Sequence, residues 1–95
     1  MPKSFRHLTR SAQVLVQEVG GEAVLLDLRS EKYFGLNAVG LRVWQMLQED
    51  SDVKSLRRRM MAEYNVNSAE LDRDLDDLLT RLVDAGLLTV SEQPE

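Results

Sequence analysis

EKYFGLNAVGLRVWQML, residues 31–47, opens with β-forming residues and closes in an apolar rhythm of 3.6 residues. The change of period falls within Gly35-Leu36-Asn37, so a strand must run almost directly into a helix. Asn37 explains how: its side-chain oxygen can accept from an otherwise unpaired N–H of the first helical turn. Leu36 then stands just before the cap and Leu41 four residues inside the helix, the spacing of a hydrophobic staple that fixes the angle of entry. Gly40, Val43, Trp44 and Leu47 share one face, on which Gly40 leaves room for a neighbouring backbone and Trp44 reads as a core anchor.

Working towards the N-terminus, QVLVQEV (13–19) and EAVLLDL (22–28) are separated by Gly20-Gly21. Two glycines can take the positive φ angles of a tight hairpin turn, so these runs are expected to pair. RSEK is the next turn, and Tyr33 to Leu36 forms a third strand left on the edge of the meander with unpaired backbone groups on its outer side. The first two strands are apolar on both faces, which is compatible with a homodimer.

Towards the C-terminus, Val53, Leu56, Met60 and Tyr64 make one helical stripe, capped by Ser51 or Asp52, with Arg57, Arg58 and Arg59 on its solvated side. Met60 and Met61 read as gap-filling core and its edge. A third helix is expected to start at Ser68 as its cap and to end at Gly86. Leu71, Leu75, Leu78 and Leu82 form its centre, and Leu79 and Val83 widen the apolar surface along one flank. Leu87 to Val90 reads as a short extended tail. The expected fold is α+β and winged helix-turn-helix-like: a three-stranded antiparallel sheet followed by a three-helix bundle, without internal repeats. It would occupy residues 13–90, with a flexible N-terminal segment at 1–12 and a flexible tail at 91–95.

The chain of 95 residues is 43% hydrophobic and 29% charged and has no cysteine, so one modest core must be held by packing alone. No apolar run reaches the ~20 residues of a membrane helix, and the start lacks the apolar segment of a signal peptide; a cytoplasmic setting is expected. A net charge of -4 argues against a phosphate backbone as ligand. With one histidine, His7, in the expected mobile start, there is no three-ligand metal site, no nucleophile–base pair and no phosphate-cradling loop. No cofactor and no catalytic activity are expected.

The runs VLLDLRSEKYFGLNAVGLRVWQML, DVKSLRRRMMAEYNV and LDDLLTRLVDAGLL, in that order, resemble the PqqD family of precursor-peptide recognition elements. The likeness extends from about Val14 to Leu88, and YFGLN before a Trp-containing helix together with LVDAGLL are its most specific parts. The KYFGLN wording is closer to the free-standing domains of lasso-peptide clusters than to the protein of pyrroloquinoline quinone synthesis. Members of the family are non-catalytic. They capture the leader segment of a ribosomally made peptide as an added strand and deliver it to modifying enzymes or a leader peptidase.

The resemblance implies a leader-binding site at Tyr33, Phe34, Gly35 and Leu36 on the edge strand, faced by Leu75, Leu79 and Val83 of the third helix. On the helical wheel Asp72 and Asp76 lie on the same flank as Leu79 and Val83, and would favour a Lys or Arg of the peptide at the rim. The opposite flank carries Asp74, Arg81 and Ala85. Without the resemblance, Tyr33 and Phe34 read first as core residues of a small sheet, and the wide stripe as one buried wholly under it. The competing reading is a DNA-binding winged helix-turn-helix regulator, whose third helix would enter the major groove. Glu70, Asp72, Asp74, Asp76, Asp77 and Asp84 oppose it.

Overall fold

The structure, a computed structural model, describes residues 5–65 and 67–91. In chain order it has β1 (His7–Arg10), β2 (Val14–Val19), β3 (Glu22–Asp27), β4 (Lys32–Leu36), α1 (Ala38–Glu49), α2 (Val53–Glu63), α3 (Ser68–Asp84) and β5 (Leu88–Ser91). The expected meander is present as the antiparallel sheet β2-β3-β4, and the three helices follow it. Gly20 and Gly21 have φ of 61° and 83°, the left-handed conformations the hairpin turn requires.

Register fixes the two faces of this sheet. Ala23 pairs with Leu36 and Leu25 with Phe34, and these point towards the helices, where Leu25, Leu36, Trp44, Met60, Leu79 and Leu82 belong to one buried core. Leu15, Leu26 and Tyr33 form a row across all three strands on the outer face.

The strand-to-helix junction is built as its sequence implies. Asn37 accepts from the Gly40 N–H at 2.9 Å, and Leu36 and Leu41 are both buried. Gly40 has a different role from the one expected. A Cβ there would stand 3.1 Å from Leu36 Cδ2, so the missing side chain makes room for the staple's own leucine and not for another backbone. Trp44 is buried, with the Arg10 guanidinium 4.9 Å from its ring centroid.

Asp52 caps α2 through the Lys54 N–H. Asn67, not Ser68, caps α3, its Oδ1 accepting from Ala69 at 2.9 Å and Glu70 at 3.2 Å. Gly86, with φ 79°, ends α3 in a Schellman turn: its N–H donates to the Val83 carbonyl and that of Leu87 to Leu82, each at 3.0 Å.

The largest departure concerns the chain's start. Residues 1–12 were expected to be flexible, but His7–Arg10 is a strand paired antiparallel with β5, His7 opposite Ser91 and Leu8 opposite Val90. Leu8 is fully buried. The ribbon also binds the α1–α2 connection, since Leu8 N–H donates to the Ser51 carbonyl and Val53 N–H to that of Arg6. Residues 1–4 and 92–95 of the two expected loose ends lie outside the described residues.

Candidate functional site

Backbone hydrogen bonds of an antiparallel strand alternate between its two sides. Leu28 N–H donates to the Gln13 carbonyl at 2.9 Å, which sets the alternation. With the observed registers, Lys32, Phe34 and Leu36 bond to β3. The N–H and C=O groups of Tyr33 and Gly35 therefore project from the free edge of β4. Tyr33 is 73% exposed, and a Cβ on Gly35 would meet nothing within 4 Å.

Phe34 is half-buried and turns to the helix side. There the Arg81 guanidinium carbon of α3 lies 5.7 Å from its ring centroid. A cavity lies on either side of this contact. One, of about 330 Å³, is between the start of α1 and α3, bounded by Asn37, Val39, Gly40, Asp74, Asp77, Leu78 and Arg81. The other, about 360 Å³, lies among Lys32, Tyr33, Phe34, Asp84, Ala85 and Leu87. The second borders the edge strand and has Phe34 on its apolar side, whereas the first continues the groove along α3 past Leu78; both have mainly acidic rims.

The groove uses the flank of α3 opposite to the expected one. Arg57 of α2 explains why: its Nε is 2.9 Å from Asp72 Oδ1 and its Nη2 is 3.5 Å from Asp76 Oδ1. The Asp72–Asp76 flank, which Val83 shares, therefore faces α2 and not β4. Leu75 and Leu79 are core residues, as is Leu36. Of the expected site, Tyr33, Phe34 and Gly35 stand at the edge, Leu36, Leu75 and Leu79 lie in the core, and Asp72, Asp76 and Val83 lie on the flank away from β4, whereas Arg81 reaches Phe34. A signal for this packing was available in the spacing of Asp72 and Asp76, one helical turn apart and complementary to an arginine on α2.

Asp27 and Arg29 join the β3–β4 turn to the C-terminal end of α3. Asp27 is buried and accepts from the Arg29 backbone N–H and the Ser30 hydroxyl, both at 3.0 Å. Its carboxyl is held below the ordinary carboxylate value, chiefly by the Arg29 N–H and further by Ser30 and the Arg29 charge, against an opposing effect of burial. The Arg29 Nη2 donates to the Gly86 carbonyl at 2.8 Å, tying the β3–β4 turn to the end of α3.

The basic residues of α2 are partly consumed within the fold, Arg57 by Asp72 and Asp76 and Arg59 by Glu49 at 2.9 Å. With the acidic residues of α3 exposed opposite phosphates, the DNA-reading arrangement finds no support. Among the described residues, no His, Cys, Asp and Glu side chains gather as a metal site, and no helix is long and apolar enough to cross a membrane.

The family profile described as "Coenzyme PQQ synthesis protein D (PqqD)" matches residues 22–88. A solved structure described as "TbiB1 in Complex with the TbiA(beta) Leader Peptide" is 34% identical, with a TM-score of 0.78 over 92% of this chain and 99% of that one. A second, "Lasso peptide synthetase B1 complexed with the leader peptide", is 25% identical, with a TM-score of 0.75 over 87% and 98%. A search of curated proteins gives no match.

Proposed function

The chain belongs to the PqqD family, and from that premise we propose that it is a non-catalytic peptide-binding protein. It captures the leader segment of a ribosomally made precursor as an added strand on β4 and presents it to a modifying enzyme or leader peptidase of the same pathway. The observation that carries this reading is the open edge at Tyr33 and Gly35, bordered by a cavity that Phe34 lines from β4 and Asp84 and Ala85 from the end of α3. β-augmentation requires both parts: backbone bonds supply affinity, and pockets for alternate side chains supply register.

The magnitudes are sufficient. Two residues with outward backbone groups can exchange about four hydrogen bonds, worth about 1 kcal/mol net each. An apolar anchor buried against Phe34 or Leu78 contributes roughly 1.5–3 kcal/mol more. After ordering costs, a micromolar complex is within reach. Both solved structures described above hold leader peptides, which supports a lasso-peptide precursor as the substrate class.

Calorimetry with a candidate lasso-precursor leader, and with the TbiA(beta) leader as a second probe, tests the reading. Binding should be micromolar or tighter. Backbone amide shifts should cluster on Tyr33 to Leu36 and on α3 from Asp74 to Arg81. Shifts confined to the Arg57–Arg59 face, or absence of binding by both peptides, would sink it.

A further inference from the structure

The sheet has a second free edge, β2, and it is less protected than the first. Leu15, Val16 and Val19 are 56%, 38% and 67% exposed, although they lie on both faces of the strand. Glu18 is its one charged residue and it has no proline, so the usual devices against edge pairing are nearly missing. By the hydrogen-bond alternation set at Gln13 and Leu28, the backbone groups of Val14, Val16 and Glu18 project from this edge.

We propose that β2 is a self-association edge, on which a second copy of the chain pairs antiparallel about a two-fold axis with Gln17 opposite Gln17 of the copy. Charge and pattern select this register. Residues opposite each other must face the same side of the joined sheet, so a two-fold must pass through a residue pair. Centring on Glu18 opposes two carboxylates. Centring on Leu15 pairs only Val14 to Val16 within β2, and centring on Val16 sets Leu15 against Gln17 and Val14 against Glu18.

Centring on Gln17 has none of these defects. Leu15 meets Val19 twice on the outer face, the two glutamine amides can bond to each other, and Val16 meets Glu18 with no like charges opposed. Val16 and Glu18 then exchange the backbone bonds, because theirs are the groups that project. Val24 and Leu28, both exposed, extend the apolar outer face on either side of the axis. β4 remains free at the other edge, so the pairing is independent of peptide binding.

The sharpest test is a cross-link, since the chain has no cysteine of its own. In this register Gln17 sits in a non-hydrogen-bonded pair, with Cα atoms ~4.5 Å apart, within disulfide range. Under mild oxidation the Gln17→Cys chain should give a covalent dimer, and Val19→Cys should not. Sedimentation of the full chain should show concentration-dependent dimers. Gln17→Lys, which opposes two ammonium groups at an exposed position, should raise the dimer dissociation constant roughly tenfold. Val16→Pro should do the same by removing an outward donor while sparing the β2–β3 ladder. Monomers at millimolar concentration, equal cross-linking at positions 17 and 19, or dimers unmoved by Gln17→Lys in a folded chain would each overturn the proposal.

Discussion

Arg81 covers Phe34: its guanidinium carbon lies 5.7 Å from the centroid of the ring, and its Nη1 is 3.6 Å from Asp77 Oδ2 on the same helix. Both members of that ion pair are largely exposed, so the pair holds Arg81 weakly and a strand added to β4 can displace it. The peptide side chain opposite Phe34 then meets the ring in its place.

Phe34→Ala should therefore weaken leader binding by more than roughly tenfold, the equivalent of losing an apolar anchor. Arg81→Ala should change it by only about threefold, since an exposed cation–π contact is worth about 0.5–1 kcal/mol. Calorimetry on both variants, with thermal melts to show that each remains folded, gives the order of effects.

Proline distinguishes the two sides of β4. Tyr33→Pro and Gly35→Pro each remove an N–H that projects from the free edge, so both should abolish leader binding at the concentrations that saturate the unmodified chain. They should leave pairing with β3 in place. Phe34→Pro removes a bond to β3 and should unfold the sheet. Circular dichroism read beside the binding isotherm separates these outcomes.

On the other flank of α3 the expectation reverses. Arg57→Ala and Asp76→Asn should cost about 0.2–1 kcal/mol of stability each, the range for solvent-accessible ion pairs, and leave leader affinity unchanged. Leu79→Ala, at a fully buried position, should cost about 2–5 kcal/mol. Urea unfolding gives the stabilities. A leader affinity that fell with Asp76→Asn at unchanged stability would return the groove to the α2 side.

Asp27 makes a prediction about acid. Its folded carboxyl titrates below the ordinary value, so its contribution to stability is complete above the unfolded value of about 3.9. That contribution is lost as pH falls through the folded value. Asp50 and Glu63 are shifted in the same direction, chiefly by the Asp52 backbone N–H and the Arg42 guanidinium. The melting temperature should consequently drop as pH falls below about 4, and Asp27→Asn should drop less steeply from a lower starting point. Equal slopes would show that Asp27 is not one of the groups responsible.

The elements that local chemistry specifies were legible in the sequence. Gly20-Gly21, Asn37, Asp52 and Gly86 each impose a conformation on their neighbours, and every one stands where its chemistry required. What could not be read were relations settled by packing. Leu78 and Leu79 are adjacent in sequence and both apolar, and only the docking of α2 against Asp72 and Asp76 makes one a groove residue and the other core. β1 was missed for a related reason. Its four residues, HLTR, offer a single buried leucine, and their partner lies at the far end of the chain. Asn67 capped where Ser68 was expected because adjacent cap-forming residues compete, and the choice depends on the entering backbone.

The β1–β5 ribbon joins the two ends of the fold into a closed circuit, His7 beside Ser91. Pairing strands so far apart in sequence closes a long loop, so the ribbon should form late in folding. Its geometry also brings residues 7 and 91 side by side. A permuted chain whose old ends are joined by a short flexible linker, and which opens instead at Gly20-Gly21, should keep the β4–α3 groove and bind the same leader, because neither cut nor linker touches its walls. Such a molecule would carry its new termini at the β2–β3 corner, where a fused enzyme could be tethered to the loaded domain without spanning the ribbon.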